Sequence, residues 1–109
     1  MRAESLPENP NARKVEAYYG TDVSGLNDVS PVSHVCADSV PTMIAVAEFE
    51  NPLIDVHCAE LFYRFAAARR RAPRFLRLAR HNHTSIIAHL NTAEETLGRE
   101  ILEFVETGR

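Results

Sequence analysis

The sequence predicts an α/β fold built on a strand–helix–strand unit. Two short apolar runs are separated by a long segment with helical periodicity, and a further amphipathic segment follows the second run. Strands that alternate with helical patterns indicate a βαβ unit with parallel strands. We divide the chain into residues 1–30, an N-terminal arm, short helix and loop, and residues 31–109, which carry the α/β pattern.

The N-terminal part contains one short predicted helix. Residues 1–10 are polar with two prolines and are expected to form a loose arm. Residues 11–19 favour a helix, and Gly20 suits its C-terminal stop. Residues 21–30 are rich in Asp, Ser, Asn and Gly, which predicts a loop.

The first strand and the long helix come next. Residues 41–47 form a continuous apolar run, which is typical of a strand buried on both faces. Residues 53–71 predict a helix whose last turn holds Arg69, Arg70 and Arg71, where cations suit the helix dipole. The apolar stripe of this helix consists of Ile54, Cys58, Leu61, Phe62 and Phe65.

A second strand is predicted over residues 75–79, followed by a polar loop over 80–85 and a helical turn over 85–90. Thr92 and Glu95 match a capping box, which predicts the start of the last helix, and Gly108 suits its end. The expected apolar face of this helix consists of Leu97, Ile101, Phe104 and Val105.

Composition limits the classes of function and partner. The net charge of −3 gives no electrostatic case for nucleic-acid binding, and no apolar run reaches the length that spans a membrane. Cys36 and Cys58 form neither a CxxC pair nor a disulfide framework, which predicts two reduced, mostly buried thiols in a cytoplasmic protein. Two strands alone do not make a stable sheet, so a homo-oligomer or a partner chain is expected to cover the open sheet edge.

Polar residues that follow the two strands suggest a site. Glu48 and Glu50 follow the first strand, and His81 and His83 follow the second. Because ligands of open α/β sheets bind beyond the carboxyl ends of the strands, these side chains are expected to meet at one edge. A carboxylate that orients an imidazole is the second half of a nucleophile–His–acid triad.

The segments VPTMIAVAEFENPLIDVHCAELF and HNHTSIIAHLNTAEETLGREILEFV carry a family resemblance. They resemble the last third of α/β-hydrolase esterases, in the carboxylesterase branch related to kynurenine formamidase (arylformamidase). The resemblance implies an incomplete α/β-hydrolase fold, its C-terminal βαβα portion, with two parallel strands and about three helices. The matching motifs, in chain order, are Ser30-Pro31, Pro41, Ala47-Glu48-Phe49-Glu50 and Asn82-His83-Thr84-Ser85.

By position, the resemblance implies that Glu50 is the triad acid and His83 the triad histidine. Asp55 is the alternative acid and His81 the rival histidine; His83 is favoured because Ser85 follows it. The implied activity is hydrolysis of a small-molecule carboxylic ester or aryl amide through a Ser–His–acid triad, with no cofactor.

One departure from the family puts activity in doubt. The family places its serine in G-x-S-x-G, but none of the four glycines here frames a serine at that spacing, and the HGGG-type oxyanion loop is also missing. The isolated chain is therefore expected to be inactive. The expectation is that Met1 is not the true start, that the gene is truncated, or that another chain supplies the rest.

Two other hypotheses remain open. The chain could be a non-catalytic fragment or an interaction module that binds through its unpaired sheet edge. It could also be a metal-dependent hydrolase in which His81, His83 and Glu50 hold Zn²⁺.

Overall fold

The computed structural model describes residues 12–109, so the predicted arm over 1–10 lies outside the described residues. The chain is a mixed α/β protein with a two-stranded parallel sheet, as predicted. Two short 3₁₀ turns, Val23–Gly25 and Pro31–His34, lie in the segment before the sheet. The helices and strands are α1 (Ala12–Tyr19), β1 (Met43–Phe49), α2 (Ile54–Arg69), β2 (Arg74–Asn82), α3 (Ser85–Ala88) and α4 (Thr96–Thr107).

Both faces of the sheet are covered by helices. On one face, Ala47 and Leu78 form a buried cluster with Ile86 of α3 and Leu97 of α4. On the other face, Phe62 of α2 meets the ring of Phe75 edge-on, with 5.5 Å between the ring centroids. The two layers follow from side-chain alternation along the strands, which points successive residues to opposite faces.

A bulge interrupts the strand pairing near its carboxyl end. Ala47 pairs with Leu78, but Phe49 pairs with Asn82, so the intervening segment of β2 is two residues longer. Arg80 lies in this segment with a φ of +65°, a left-handed conformation that a non-glycine residue adopts only when its surroundings hold it. The backbone N–H of Arg80 donates to Glu48 Oε2 at 2.7 Å, and this bond holds the bulge.

The bulge explains one difference between prediction and structure. Residues 80–82 are expected from the sequence to lie in a polar loop, but they continue β2. The Glu48 side chain accepts a hydrogen bond from the backbone of Arg80, and the sequence pattern does not reveal this contact. The first strand also begins at Met43 and includes Glu48 and Phe49, two residues beyond the predicted end.

The capping-box prediction for the last helix is wrong. The helix begins at Thr96, and the preceding Glu95 makes no side-chain cap. The Thr92 hydroxyl donates to the carbonyl oxygen of His89 at 2.7 Å, so it shapes the loop instead. The predicted stop at Gly108 is confirmed, since this residue has a φ of +68°. Val105, expected on the apolar face, is 73% exposed.

The long helix is shorter than expected because Arg70 leaves the helical conformation with a φ of +52°. Gly20 ends α1 with a φ of +84°, as predicted. Cys36 and Cys58 are free thiols, but Cys36 is exposed, so the expectation that both are mostly buried is wrong for it. None of the helices within residues 12–109 combines the length and apolarity that membrane crossing demands.

Candidate functional site

Glu50 and His83 form a direct hydrogen-bonded pair at the carboxyl end of the sheet. His83 Nδ1 lies 2.8 Å from Glu50 Oε2. The Glu50 side chain is only 6% exposed, whereas that of His83 is 49% exposed. The pair therefore joins a buried carboxylate to an imidazole that reaches solvent.

Two backbone amides fix the Glu50 carboxylate. The N–H of Ala47 donates to Oε1 at 2.9 Å, and the N–H of Asn51 donates to Oε2 at 3.3 Å. These two hydrogen bonds leave the carboxylate little freedom to rotate. The Glu50 carboxylate is therefore held in one orientation.

A tight turn positions His83. The side-chain oxygen of Asn82 accepts from the backbone N–H of Thr84 at 3.0 Å and from that of Ser85 at 2.8 Å. Such an Asx turn substitutes for the strand hydrogen bonds where the chain leaves the sheet. If His83 Nδ1 donates its proton to Glu50, Nε2 carries the lone pair, which is the tautomer of a general base.

The other candidate acids have different partners. Glu48 accepts the Arg80 backbone N–H and also pairs with the Arg77 guanidinium at 3.4 Å. The hydrogen bond from the Arg80 backbone lowers the pKa of Glu48, with a smaller contribution from the charge of Arg77. Asp55 accepts the N–H of Val56 at 2.9 Å in the first turn of α2. Of the carboxylates considered from the sequence, Glu50 is the one that meets His83.

His81 lies in a different environment from His83. Its side chain is 11% exposed, and Nε2 lies 3.3 Å from Oε2 of Glu94. On the other side of the ring, Nδ1 lies 3.2 Å from the Ser85 hydroxyl. Ser85, which follows His83 in the motif that favoured His83, contacts His81 in the structure.

His89 completes a second group with His81. The two rings meet edge-on, with centroids 5.1 Å apart. Hydrogen bonds from Thr96 lower the pKa of the nearby Glu94 carboxyl. Among residues 12–109, the donor atoms of His81, His89 and Glu94 lie within 4.8 Å of one another.

This grouping corrects the metal-ligand set suggested by the sequence. The set His81, His83 and Glu50 is not the one assembled in the described part of the chain, since the two histidines turn to different carboxylates. His89 and Glu94 were missed because their spacing from His81 matches no short ligand motif. Their proximity arises from the turn made by α3 and the loop after it.

In comparisons with known proteins, no family model, no curated protein and no solved structure matches the chain.

Proposed function

We propose that this chain supplies the acid and the histidine of a Ser–His–acid hydrolase that cleaves carboxylic esters or aryl amides. In this proposal it is the C-terminal βαβα portion of an α/β-hydrolase fold of the carboxylesterase type. The observation that carries the proposal is the 2.8 Å contact between His83 Nδ1 and the buried Glu50 carboxylate.

The geometry suits the two roles. A triad acid has to be fixed and shielded, and Glu50 is held by two backbone amides in a buried position. A triad base has to present its second ring nitrogen to a nucleophile, and the His83 ring is half exposed. The acid then stabilises the imidazolium that forms when His83 takes the proton of the serine.

The serine has to come from outside these 109 residues, because no G-x-S-x-G is present in the sequence. Ser30, at the start of the resembling segment, is fully buried and its hydroxyl donates to the carbonyl oxygen of Leu26 at 2.6 Å. Such a serine is a structural residue and not a nucleophile. No cofactor is required by this chemistry.

The sheet also favours completion by further strands. With two strands in the described residues, β1 and β2 each have one unpaired edge. Parallel sheets are stable when several strands are paired and both faces are covered. We propose that strands from the same polypeptide, a second copy or a partner chain pair along these edges. The two free cysteines suit a reducing compartment such as the cytoplasm.

A covalent serine probe tests this proposal. The gene is tagged at its 3′ end in its source cells, and the tagged product, with any bound chains, is reacted with a fluorophosphonate. We expect a labelled serine in that material and loss of labelling in His83→Ala. His34→Ala serves as the matched control, because His34 is an exposed histidine bonded to the backbone of Asp28.

Two results would contradict the proposal. The first is tagged material without any labelled serine, which would indicate a non-catalytic module. The second is labelling that persists at the same rate in His83→Ala, which would show that another histidine activates the serine.

A further inference from the structure

A cleft beside β2 holds a second set of chemically active side chains. Its volume is about 440 Å³, and Leu76 and Leu78 line it together with His81, His89 and Glu94. None of these residues belongs to the Glu50–His83 pair, so an inference about this cleft stands apart from the proposed hydrolase function.

One pair of donor atoms and the two imidazole rings are spaced as they are in a zinc site. With zinc–ligand bonds of about 2.0–2.1 Å, two ligand atoms of a tetrahedral site lie about 3.3 Å apart. His81 Nε2 and Glu94 Oε2 are 3.3 Å apart. Two imidazoles on one tetrahedral zinc have ring centroids about 5.2 Å apart, and the rings of His81 and His89 are separated by 5.1 Å.

The Ser85 hydroxyl contacts the other nitrogen of the His81 ring. Its oxygen accepts from the backbone N–H of Asn82 at 2.9 Å, and it lies 3.2 Å from His81 Nδ1 and 3.4 Å from the carbonyl oxygen of Asn82. The hydroxyl can therefore accept a proton from Nδ1 while it donates its own to the carbonyl oxygen. In that tautomer Nε2 carries the lone pair that a metal ligand needs.

The His81 ring and the Glu94 carboxylate can hold a divalent cation between them. In the tautomer with its lone pair on Nε2, His81 offers a nitrogen ligand 3.3 Å from Oε2 of Glu94, which offers a charged oxygen ligand. His89 brings a third ligand atom within 4.8 Å of those of the other two residues. This third ligand group, an imidazole, favours a metal site over a simple His–Glu hydrogen bond.

The surroundings support a bound cation. Ser85 fixes the ring of His81 from behind, as the outer-shell partners of metal-binding histidines do. His81 is buried, whereas His89 is exposed to solvent. Arg77, which lines the same cleft, has its charge paired with Glu48 at 3.4 Å.

We propose that His81, His89 and Glu94 bind one zinc ion or a similar borderline divalent cation. Two imidazole nitrogens and one carboxylate oxygen make a three-ligand set that leaves the fourth position for water or another ligand. Harder cations such as Mg²⁺ and Ca²⁺ prefer oxygen donors and are expected to bind much more weakly.

Metal titration of the full 109-residue chain tests the proposal. Zn²⁺ binding is followed by calorimetry, and Co²⁺ binding by its visible absorption, which reports tetrahedral coordination. We expect one ion per chain and at least an ~100-fold loss of affinity in both His89→Ala and Glu94→Gln. His34→Ala is the control and should bind as the unaltered chain does. Circular dichroism confirms that each variant is folded.

Three outcomes would overturn the assignment. One is a folded chain that binds neither ion, and another is binding that His89→Ala and Glu94→Gln leave unchanged. The third is a His81 ring that responds to pH but not to Zn²⁺ in its NMR signals, which would mean that a proton bridges the pair.

Discussion

The two histidine–carboxylate pairs at the end of β2 are opposite in construction, although one residue separates the histidines. In the Glu50–His83 pair the carboxylate is buried and the imidazole is half exposed. In the His81–Glu94 pair the imidazole is buried and the carboxylate is 39% exposed. A buried, fixed carboxylate beside a solvent-exposed imidazole suits proton transfer. A buried, fixed imidazole beside more exposed ligand groups suits metal binding.

The bulge at Arg80 produces this difference. In a regular strand, successive side chains alternate between faces. The left-handed residue and the longer segment of β2 change that alternation, and both Leu78 and His81 are buried. His83 follows the strand and turns toward the end of β1 instead. Bulges commonly re-aim a side chain next to a functional site.

The largest expected effect concerns the proposed triad. In active material, His83→Ala should lower the rate of fluorophosphonate labelling about a million-fold, and Glu50→Ala about ten-thousand-fold, because the acid acts through the histidine. The rates are compared by timed labelling of equal amounts of protein. An Asp55→Ala variant that loses more than Glu50→Ala would show that the acid has been misassigned.

The next effect concerns stability and separates the two carboxylates. Glu50→Ala leaves the buried N–H of Ala47 without its acceptor, so we expect a loss of about 1–3 kcal/mol in the free energy of unfolding. Glu50→Gln keeps an acceptor for that amide and should lose less. Glu94→Gln, at a more exposed position, is expected to change stability least of the three. Urea unfolding measures the stability of all three variants. Equal losses of stability at Glu50 and Glu94 would contradict the claim that only the Glu50 carboxylate supports the fold.

The contact that orients His81, a proposed metal ligand, can be removed while all three ligands stay in place. Ser85→Ala removes the hydroxyl that holds the His81 ring, and zinc affinity should fall about 10- to 100-fold. Thr84→Ala changes a neighbouring hydroxyl in the same turn and is the matched control. Competition with a chromophoric chelator measures both affinities. Equal affinities for the two variants would show that the hydroxyl does not orient the ring.

Relief of the backbone strain at Arg80 is expected to increase stability, whereas the Glu50 variants are expected to lose it. Arg80→Gly relieves the left-handed conformation of a non-glycine residue and should raise the free energy of unfolding by about 1 kcal/mol. Ala79→Gly, one residue earlier in the same strand, has no such strain to relieve and should lower stability by about 0.5–1 kcal/mol. Thermal unfolding distinguishes the two, and a loss of stability in both would contradict a strained Arg80.

The pH dependence of the bulge is the smallest effect. The hydrogen bond from the Arg80 backbone lowers the pKa of Glu48 in the folded state. The folded state therefore binds its proton less readily than the unfolded state, so Glu48 stabilises the fold above its unfolded-state pKa. That contribution is lost as pH falls through the lowered value. Glu48→Gln should flatten the acid limb of the stability profile, and an unchanged slope would show that Glu48 makes no such contribution.

The sequence predicted the elements and the two helix ends that a glycine marks, but not the start of the last helix or the end of β2. The parallel β1–α2–β2 order and the glycine stops at Gly20 and Gly108 follow from local pattern and backbone freedom. The capping box at Thr92 failed because that hydroxyl bonds the backbone of His89 across the loop, which is a tertiary effect.

The candidate site was also only partly predictable from the sequence. The position of Glu48, Glu50, His81 and His83 after neighbouring parallel strands suggested that a carboxylate meets a histidine at this edge. The family resemblance then selected Glu50 and His83 from these four. The cluster of His81, His89 and Glu94 depends on the bulge in β2 and on the path of α3 and the loop after it. No sequence pattern predicted that these features bring the three side chains together.

The central claim, that the two neighbouring histidines belong to separate sites, is tested most directly by NMR of the imidazole nitrogens during zinc titration. Long-range ¹H–¹⁵N spectra resolve the tautomer and the metal contact of each ring. We predict that one equivalent of Zn²⁺ shifts the ring nitrogens of His81 and His89 and leaves those of His83 in place. A spectrum in which His83 shifts with His81 would contradict the account, because the two histidines would then share one site.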